Sequence, residues 1–223
     1  MDKRTYDAHA KAWACIENHE ASREGDLVRK ARAIAAARRL DPGSAAEGAL
    51  LNTFTRMSGA SSVIAIGTGA LVETAQLVTG LHGTGKLTAV DSSAQGAAMV
   101  RALFDAIDDR TRTTLRVVNA DPAVFLPRLN GDDYDLIVVG GEPSNYGAAY
   151  EQAPRLLKHG GLLVLTNALA MRGKDSKGGL TNPADRSPMA TMMRELTATI
   201  EEDERFTCAS TPTGDGLLIA AHC

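Results

Sequence analysis

Aromatic side chains make up only 4% of this 223-residue chain, with one tryptophan, so it offers little stacking surface for nucleic-acid bases. Positive charge is not in excess either: the formal net charge is −3, and the basic footprint that phosphate backbones require is missing. The three cysteines, Cys15, Cys208 and Cys223, stand far apart without metal-ligand spacing, which argues against a disulfide framework or a zinc site and suits a reducing compartment. No apolar run approaches the ~18 residues of a membrane span, and the charged stretch from Met1 to Trp13 has no apolar segment of signal-peptide length. These shortages predict a cytoplasmic protein that acts on a small molecule, not on nucleic acid or membrane. The 44% of hydrophobic residues suffice for one good core. With no break in composition, a single domain over 1–223 is expected, with N-terminal helices over 1–60 and an α/β core over 61–223.

The most informative stretch is Ser62-Val63-Ile64-Ala65-Ile66-Gly67-Thr68-Gly69-Ala70, an apolar β-branched run that breaks into glycines and leads into a helical segment, Val72 to Leu81. Glycines there let the backbone approach a ligand closely, and free N–H groups at a helix start favour polar or anionic groups. About twenty residues on, Lys86 to Asp91 reads as a second strand ending in a carboxylate, where nucleotide-binding βαβ units hold ribose hydroxyls. The full dinucleotide fingerprint needs glycine at 72 and finds Val72, so a nicotinamide or flavin dinucleotide fits poorly. The structural alternative is a glycine turn that only reverses the chain.

Along the chain, Asp2 to His19, Ser22 to Leu40 and Ser44 to Ser58 are predicted helices, with Ser22 as a cap for the second. The basic run Arg29, Lys30, Arg32, Arg38, Arg39 reads as a solvated face. Strands at 86–91, 114–119, 134–139 and 162–165 alternate with helices at 94–108, 122–129 and 146–157, which describes a parallel sheet covered on both faces. His159 is expected to cap the helix before a Gly160-Gly161 turn. Met171 to Ser187 reads as a lid or a disordered connection, followed by a helix from about Ala184 to Glu202. Met189, Met192 and Met193 on that helix either line a pocket or pack in a core. Strands 206–210 and 217–221 around Thr213-Gly214-Asp215-Gly216 form an antiparallel hairpin.

In order and spacing, these residues resemble the catechol and caffeoyl-CoA O-methyltransferases, which use S-adenosylmethionine (SAM). The resemblance is carried by Val63 to Gly69, Asp91, Leu126-Pro127, Tyr134-Asp135-Leu136, Asn145-Tyr146, Leu156 to Gly161, Asn167 and Pro212 to Leu217. It implies a Rossmann-like SAM-dependent methyltransferase fold with a seven-stranded, mostly parallel sheet and an antiparallel C-terminal hairpin. It further implies a homodimer and methyl transfer to a small-molecule hydroxyl. By the same resemblance, Gly67, Thr68 and Gly69 lie under the methionine portion of SAM, Asp91 holds the ribose, Ser92 flanks it and Asp121 sits near the adenine edge.

The chain departs from that family at several positions. The aspartate that binds the family's divalent metal and the lysine that helps deprotonate the substrate correspond to Gly140 and Pro143, and the metal-binding Asp-Asn pair corresponds to Thr166-Asn167. One amide and one hydroxyl make a poor Mg²⁺ site, so a divalent metal is not expected; Glu142 and Asp175 are the nearest acidic alternatives. Glu73 stands where a serine meets the methionine carboxylate of SAM. Two carboxylates ~4 Å apart repel by roughly 4 kcal/mol at an effective dielectric near 20, about a thousandfold in affinity. Weak SAM binding is therefore expected unless Glu73 turns away or is screened. No catalytic residue is assigned. Two functions remain open: a metal-independent SAM-dependent O-methyltransferase, or a catalytically inactive relative kept for binding or assembly.

Overall fold

The computed structural model describes residues 3–67, 71–107, 112–173 and 175–223. Three helices, α1 (Lys3–Arg23), α2 (Asp26–Ala37) and α3 (Ala45–Met57), precede the first strand. The strands are β1 (Ser62–Ile66), β2 (Lys86–Asp91), β3 (Thr114–Asn119), β4 (Tyr134–Val139), β5 (Leu157–Leu165), β6 (Phe206–Thr211) and β7 (Leu217–His222). They form one seven-stranded sheet in the order β3-β2-β1-β4-β5-β7-β6. β1 to β5 are mutually parallel, and β7 runs antiparallel to both β5 and β6, as the Gly-Asp-Gly hairpin predicts. The intervening helices are α4 (Leu71–Gly80), α5 (Ala94–Asp105), α6 (Pro122–Phe125), α7 (Pro143–Leu156) and α8 (Pro188–Glu201).

Both faces of the sheet are covered because the central strands are apolar at successive positions: β1 buries all five residues and β4 all but Asp135. Ile64, Ile66, Ile137 and Leu165 pack with Tyr146, Ala149, Met193 and Ile200 of α7 and α8. Val63, Ala65, Leu87 and Leu136 pack on the other face with Ala31, Leu77, Val100 and Leu103 of α2, α4 and α5. The strand order reverses between β1 and β4, and it is outside the carboxyl ends of strands at such a reversal that open α/β sheets form a ligand crevice.

Several sequence expectations are corrected. The break between the first two helices falls at Glu24-Gly25; Ser22 does not cap α2 but donates its hydroxyl to the His19 carbonyl at 2.7 Å, and Gly25 takes the cap position without a side-chain bond. Glu24 is buried and accepts two hydrogen bonds of 2.6 Å from Arg32, whose Nη1 donates to the Gly43 carbonyl at 3.0 Å. Arg32 is therefore a structural tie between α2 and the segments flanking it, not part of a solvated face.

α7 starts at Pro143, three residues earlier than expected, since proline at the first turn gives up only a donor that a helix start leaves idle. β5 begins at Leu157 and carries the Gly160-Gly161 pair within it, with a register shift against β4 between Tyr134 and Leu136. His159 is consequently an exposed strand residue, not a helix cap. Residues 177–187 are organised around the buried Asp185, which accepts from the backbone N–H groups of Lys177, Gly179 and Ser187 at 2.7 to 2.8 Å. Arg194 of α8 donates to the carbonyls of Gly179, Asn182 and Asp185, and the helix starts at Pro188 instead of 184.

Candidate active site

A cavity of about 700 Å³ opens at the carboxyl ends of β1, β2, β4 and β5, within the size range of small-molecule sites. Its floor is set by Gly67, whose φ of +101° suits glycine and whose absent Cβ would lie 2.3 Å from the Gly140 carbonyl oxygen. The Gly67 N–H donates to Val90 and the Gly140 N–H to Ile66, at 3.0 and 2.9 Å, so the ends of β1, β2 and β4 are locked together. Thr68 and Gly69, expected beside Gly67, lie outside the described residues.

Asp91 ends β2 at the cavity wall with Ser92 and Ser93. Its Oδ1 accepts the Ser93 N–H at 2.7 Å, while its Oδ2 is buried without a hydrogen-bond partner among the described residues. A buried carboxylate oxygen left open beside a cavity suits a ligand hydroxyl that can donate to it. Asp121 does not line the cavity: it caps α6, accepting the Ala123 N–H at 2.9 Å.

At the positions where the resemblance predicts a metal centre, the oxygens are already engaged. The Thr166 hydroxyl donates to the Val139 carbonyl at 3.1 Å, and the Asn167 side-chain oxygen accepts the Arg172 N–H at 3.1 Å. A Cβ on Gly140 would lie 2.8 Å from Thr166 Oγ1, so side-chain growth there is resisted. Glu142 and Asp175 line the cavity but are exposed. Among the described residues, no group of three or more His, Cys, Asp or Glu side chains is arranged to hold a metal ion. This donor set does not fit an octahedral Mg²⁺.

Glu73, in the first turn of α4, lines the cavity and is only 5% exposed. Its Oε2 has no hydrogen-bond partner among the described residues and lies 3.9 Å from the empty Cβ position of Gly140, while Oε1 and Arg172 Nη2 both lie near that of Gly43, at 3.7 and 3.2 Å. Behind it stands Glu47 of α3, 1% exposed and also with an unpartnered Oε2. Arg172 is paired through Nε with Asp215 of the β6–β7 turn and lies 3.6 Å from Asp41. Burial pushes the Glu47 carboxyl up to about 9, and the neighbouring Glu73 charge adds to the rise. Burial likewise raises Glu73, against the pull of the Arg172 guanidinium and a hydrogen bond with Glu47. Two buried carboxyls in contact cannot both ionise cheaply, so the pair keeps a proton at neutral pH.

Glu47, Arg172, Asp41 and Asp215 escaped the sequence reading because they come from four separate segments with no shared spacing. The only local hint was the Gly-Asp-Gly turn itself. A Cβ on Gly214 would lie 2.1 Å from Glu47 Oε2 and one on Gly216 2.5 Å from Leu169, so the turn fits only where side chains are absent. Of the three methionines, Met193 is in the core, Met192 packs against it and Met189 also reaches the cavity.

The sheet order, the crevice at its reversal and the open carboxylate at the end of β2 define a Rossmann-like fold of the methyltransferase type. The profile of the O-methyltransferase family matches residues 19–223, and the chain belongs to that family. A relative from Mycobacteroides abscessus is 32% identical over 199 residues, covering 89% of each chain, and one from Mycobacterium marinum is 34% identical over 178 residues, covering 79% and 76%. Both carry the name O-methyltransferase provisionally. Among solved structures, the O-methyltransferase of Bacillus cereus in complex with SAH superposes with a TM-score of 0.78 at 18% identity, covering 96% of this chain and 99% of the other. The O-methyltransferase TomG of Streptomyces achromogenes, in complex with SAM, gives 0.77 at 19%, covering 95% and 97%. At these identities the two structures speak for the fold.

Proposed function

We propose that this protein transfers a methyl group from SAM to a hydroxyl of a small molecule, without a resident divalent metal. The observation that carries the reading is the buried, unpartnered Asp91 Oδ2 at the wall of the 700 Å³ cavity, in a chain of the O-methyltransferase family. When bound, SAM supplies an electrophilic methyl group. Asp91 accepts from the ribose, Ser92 flanks it, Gly67 admits the backbone close to the ligand, and Met189 and Pro188 screen the cavity from water. Methyl transfer asks mainly for alignment and exclusion of water; orientation alone supplies roughly 7 to 11 kcal/mol in favourable model reactions.

The engaged oxygens of Thr166 and Asn167, with Gly140 and Pro143 in place of a ligand and a lysine, support the metal-independent part. A substrate hydroxyl that is already acidic, and so partly ionised at neutral pH, is the acceptor such a site can use. The homodimer belongs to the same proposal, and light scattering at twice the chain mass is its check.

Calorimetric titration with S-adenosylhomocysteine (SAH) tests the cofactor. Wild type binds, and Asp91→Asn binds about ten- to a hundredfold more weakly, the cost of a charge-assisted hydrogen bond. No heat at millimolar SAH, with no shift in melting temperature, overturns the proposal. Turnover unchanged by EDTA supports the metal-independent part, and its loss refutes it.

A further inference from the structure

We propose that Glu73, backed by Glu47, receives the α-ammonium group of the cofactor's amino-acid end, while Arg172 faces its carboxylate. The inference rests on the SAM reading above and deepens it. Where the family presents a neutral hydroxyl, this chain presents a carboxyl in a side chain that lines the cavity, with its Oε2 buried and unpartnered among the described residues, and an acceptor in that state calls for a donor from the ligand.

The charge balance selects the sign of that donor. Four carboxyls, those of Glu47, Glu73, Asp41 and Asp215, act on the single guanidinium of Arg172. Asp215 already occupies Arg172 Nε, and Asp41 lies 3.6 Å from the same nitrogen, so the local field favours a cation even with a proton held between the glutamates. The terminal nitrogens of Arg172 make no hydrogen bond among the described residues, which leaves them for a carboxylate, though one attracted by a largely neutralised guanidinium. Burial raises the Glu73 carboxyl, and the Arg172 guanidinium and its place in the first turn of α4 act against that rise. The arrangement resolves the repulsion expected from the sequence: the amino-acid end lies with its ammonium, not its carboxylate, against Glu73.

The test compares ligands on the wild-type protein by calorimetry. Methylthioadenosine, which lacks the amino-acid end, reports the adenosine site alone. SAH without its amino group and SAH without its carboxylate report the two ends separately. The deaminated analogue binds about ten- to a hundredfold more weakly than SAH, and the decarboxylated analogue loses less. Glu73→Gln weakens SAH by a similar factor and leaves methylthioadenosine unchanged, which also shows that the variant is folded. A decarboxylated analogue that loses more than the deaminated one, or tighter SAH binding by Glu73→Gln, overturns the inference while leaving the SAM reading intact. Failure of every adenosine ligand to bind wild type overturns both.

Discussion

Replacing Glu47 by Gln removes one titrating group from the buried pair while keeping its shape and a hydrogen-bonding end toward Glu73. Between the ordinary carboxyl value of 4.5 and about 9, the unfolded chain has released the Glu47 proton and the native protein still holds it. The native state then binds more protons than the unfolded state, so stability falls as pH rises across that window. One such group contributes up to ~1.4 kcal/mol per pH unit, or roughly 2.7 kcal/mol between pH 6 and pH 8. For a chain of this length, at ~2 to 4 °C per kcal/mol, that amounts to roughly 5 to 11 °C in melting temperature. Gln is neutral throughout, so Glu47→Gln lacks this contribution. The assay is thermal unfolding of both proteins from pH 5 to pH 9 at fixed ionic strength, read as the difference in melting temperature. The variant gains on wild type steadily as pH rises. A difference that stays flat from pH 6 to pH 8 refutes the buried, proton-holding pair.

Gly67→Ala forces a Cβ to 2.3 Å from the Gly140 carbonyl at a φ of +101°, and costs over ~4 kcal/mol of stability, measured as a shift of the urea midpoint. Arg32→Ala leaves the Glu24 carboxylate buried without its two 2.6 Å partners, and costs ~3 to 5 kcal/mol in the same measurement. Backbone N–H groups, that of Ser187 foremost, hold the Asp185 carboxyl well below its usual range, so its protection of the 177–187 segment is present above the ordinary carboxyl value and is lost only in strong acid. Asp185→Ala exposes that segment to trypsin at neutral pH, at Lys177, and equal cleavage rates in both proteins refute the role.

The fold was legible because each central strand announces itself locally. Val63 to Ile66 and Leu136 to Val139 are apolar on both faces, and glycines mark where the chain turns, so the strands and the parallel character of the sheet followed from alternation, whereas the strand order did not. Boundaries slipped where two signals competed. Gly160-Gly161 looks like a turn by composition, but β4 and β7 pair with the strand around it, and tertiary pairing overrode the local preference. The site was half legible. Asp91 and Gly67 lie at spacings fixed by a βαβ unit, whereas the Glu47–Glu73–Arg172–Asp215 group is assembled from α3, α4, a loop and a hairpin turn, and no period in the sequence links them. Glu73 itself was visible, but as an isolated charge its burial and its partners were not.

The departures at 140 and 73 are two sides of one rearrangement. Position 140 directly follows β4, at the place where the resemblance expects a metal-binding carboxylate, and the point a Cβ would occupy there is 2.8 Å from Thr166 Oγ1 and 3.9 Å from Glu73 Oε2. A carboxylate projecting from 140 would stand beside a buried pair that already resists ionising both members, and like charges ~4 Å apart repel by about 4 kcal/mol at an effective dielectric near 20. With glycine at 140, that conflict is gone and Glu73 can turn its Oε2 toward the cavity. Pro143, in the place where the resemblance expects a lysine, starts α7. On the proposal above, the negative charge stands at the helix start that would meet the cofactor's ammonium group, and the strand end at 140, where the resemblance expects a metal-binding carboxylate, carries none.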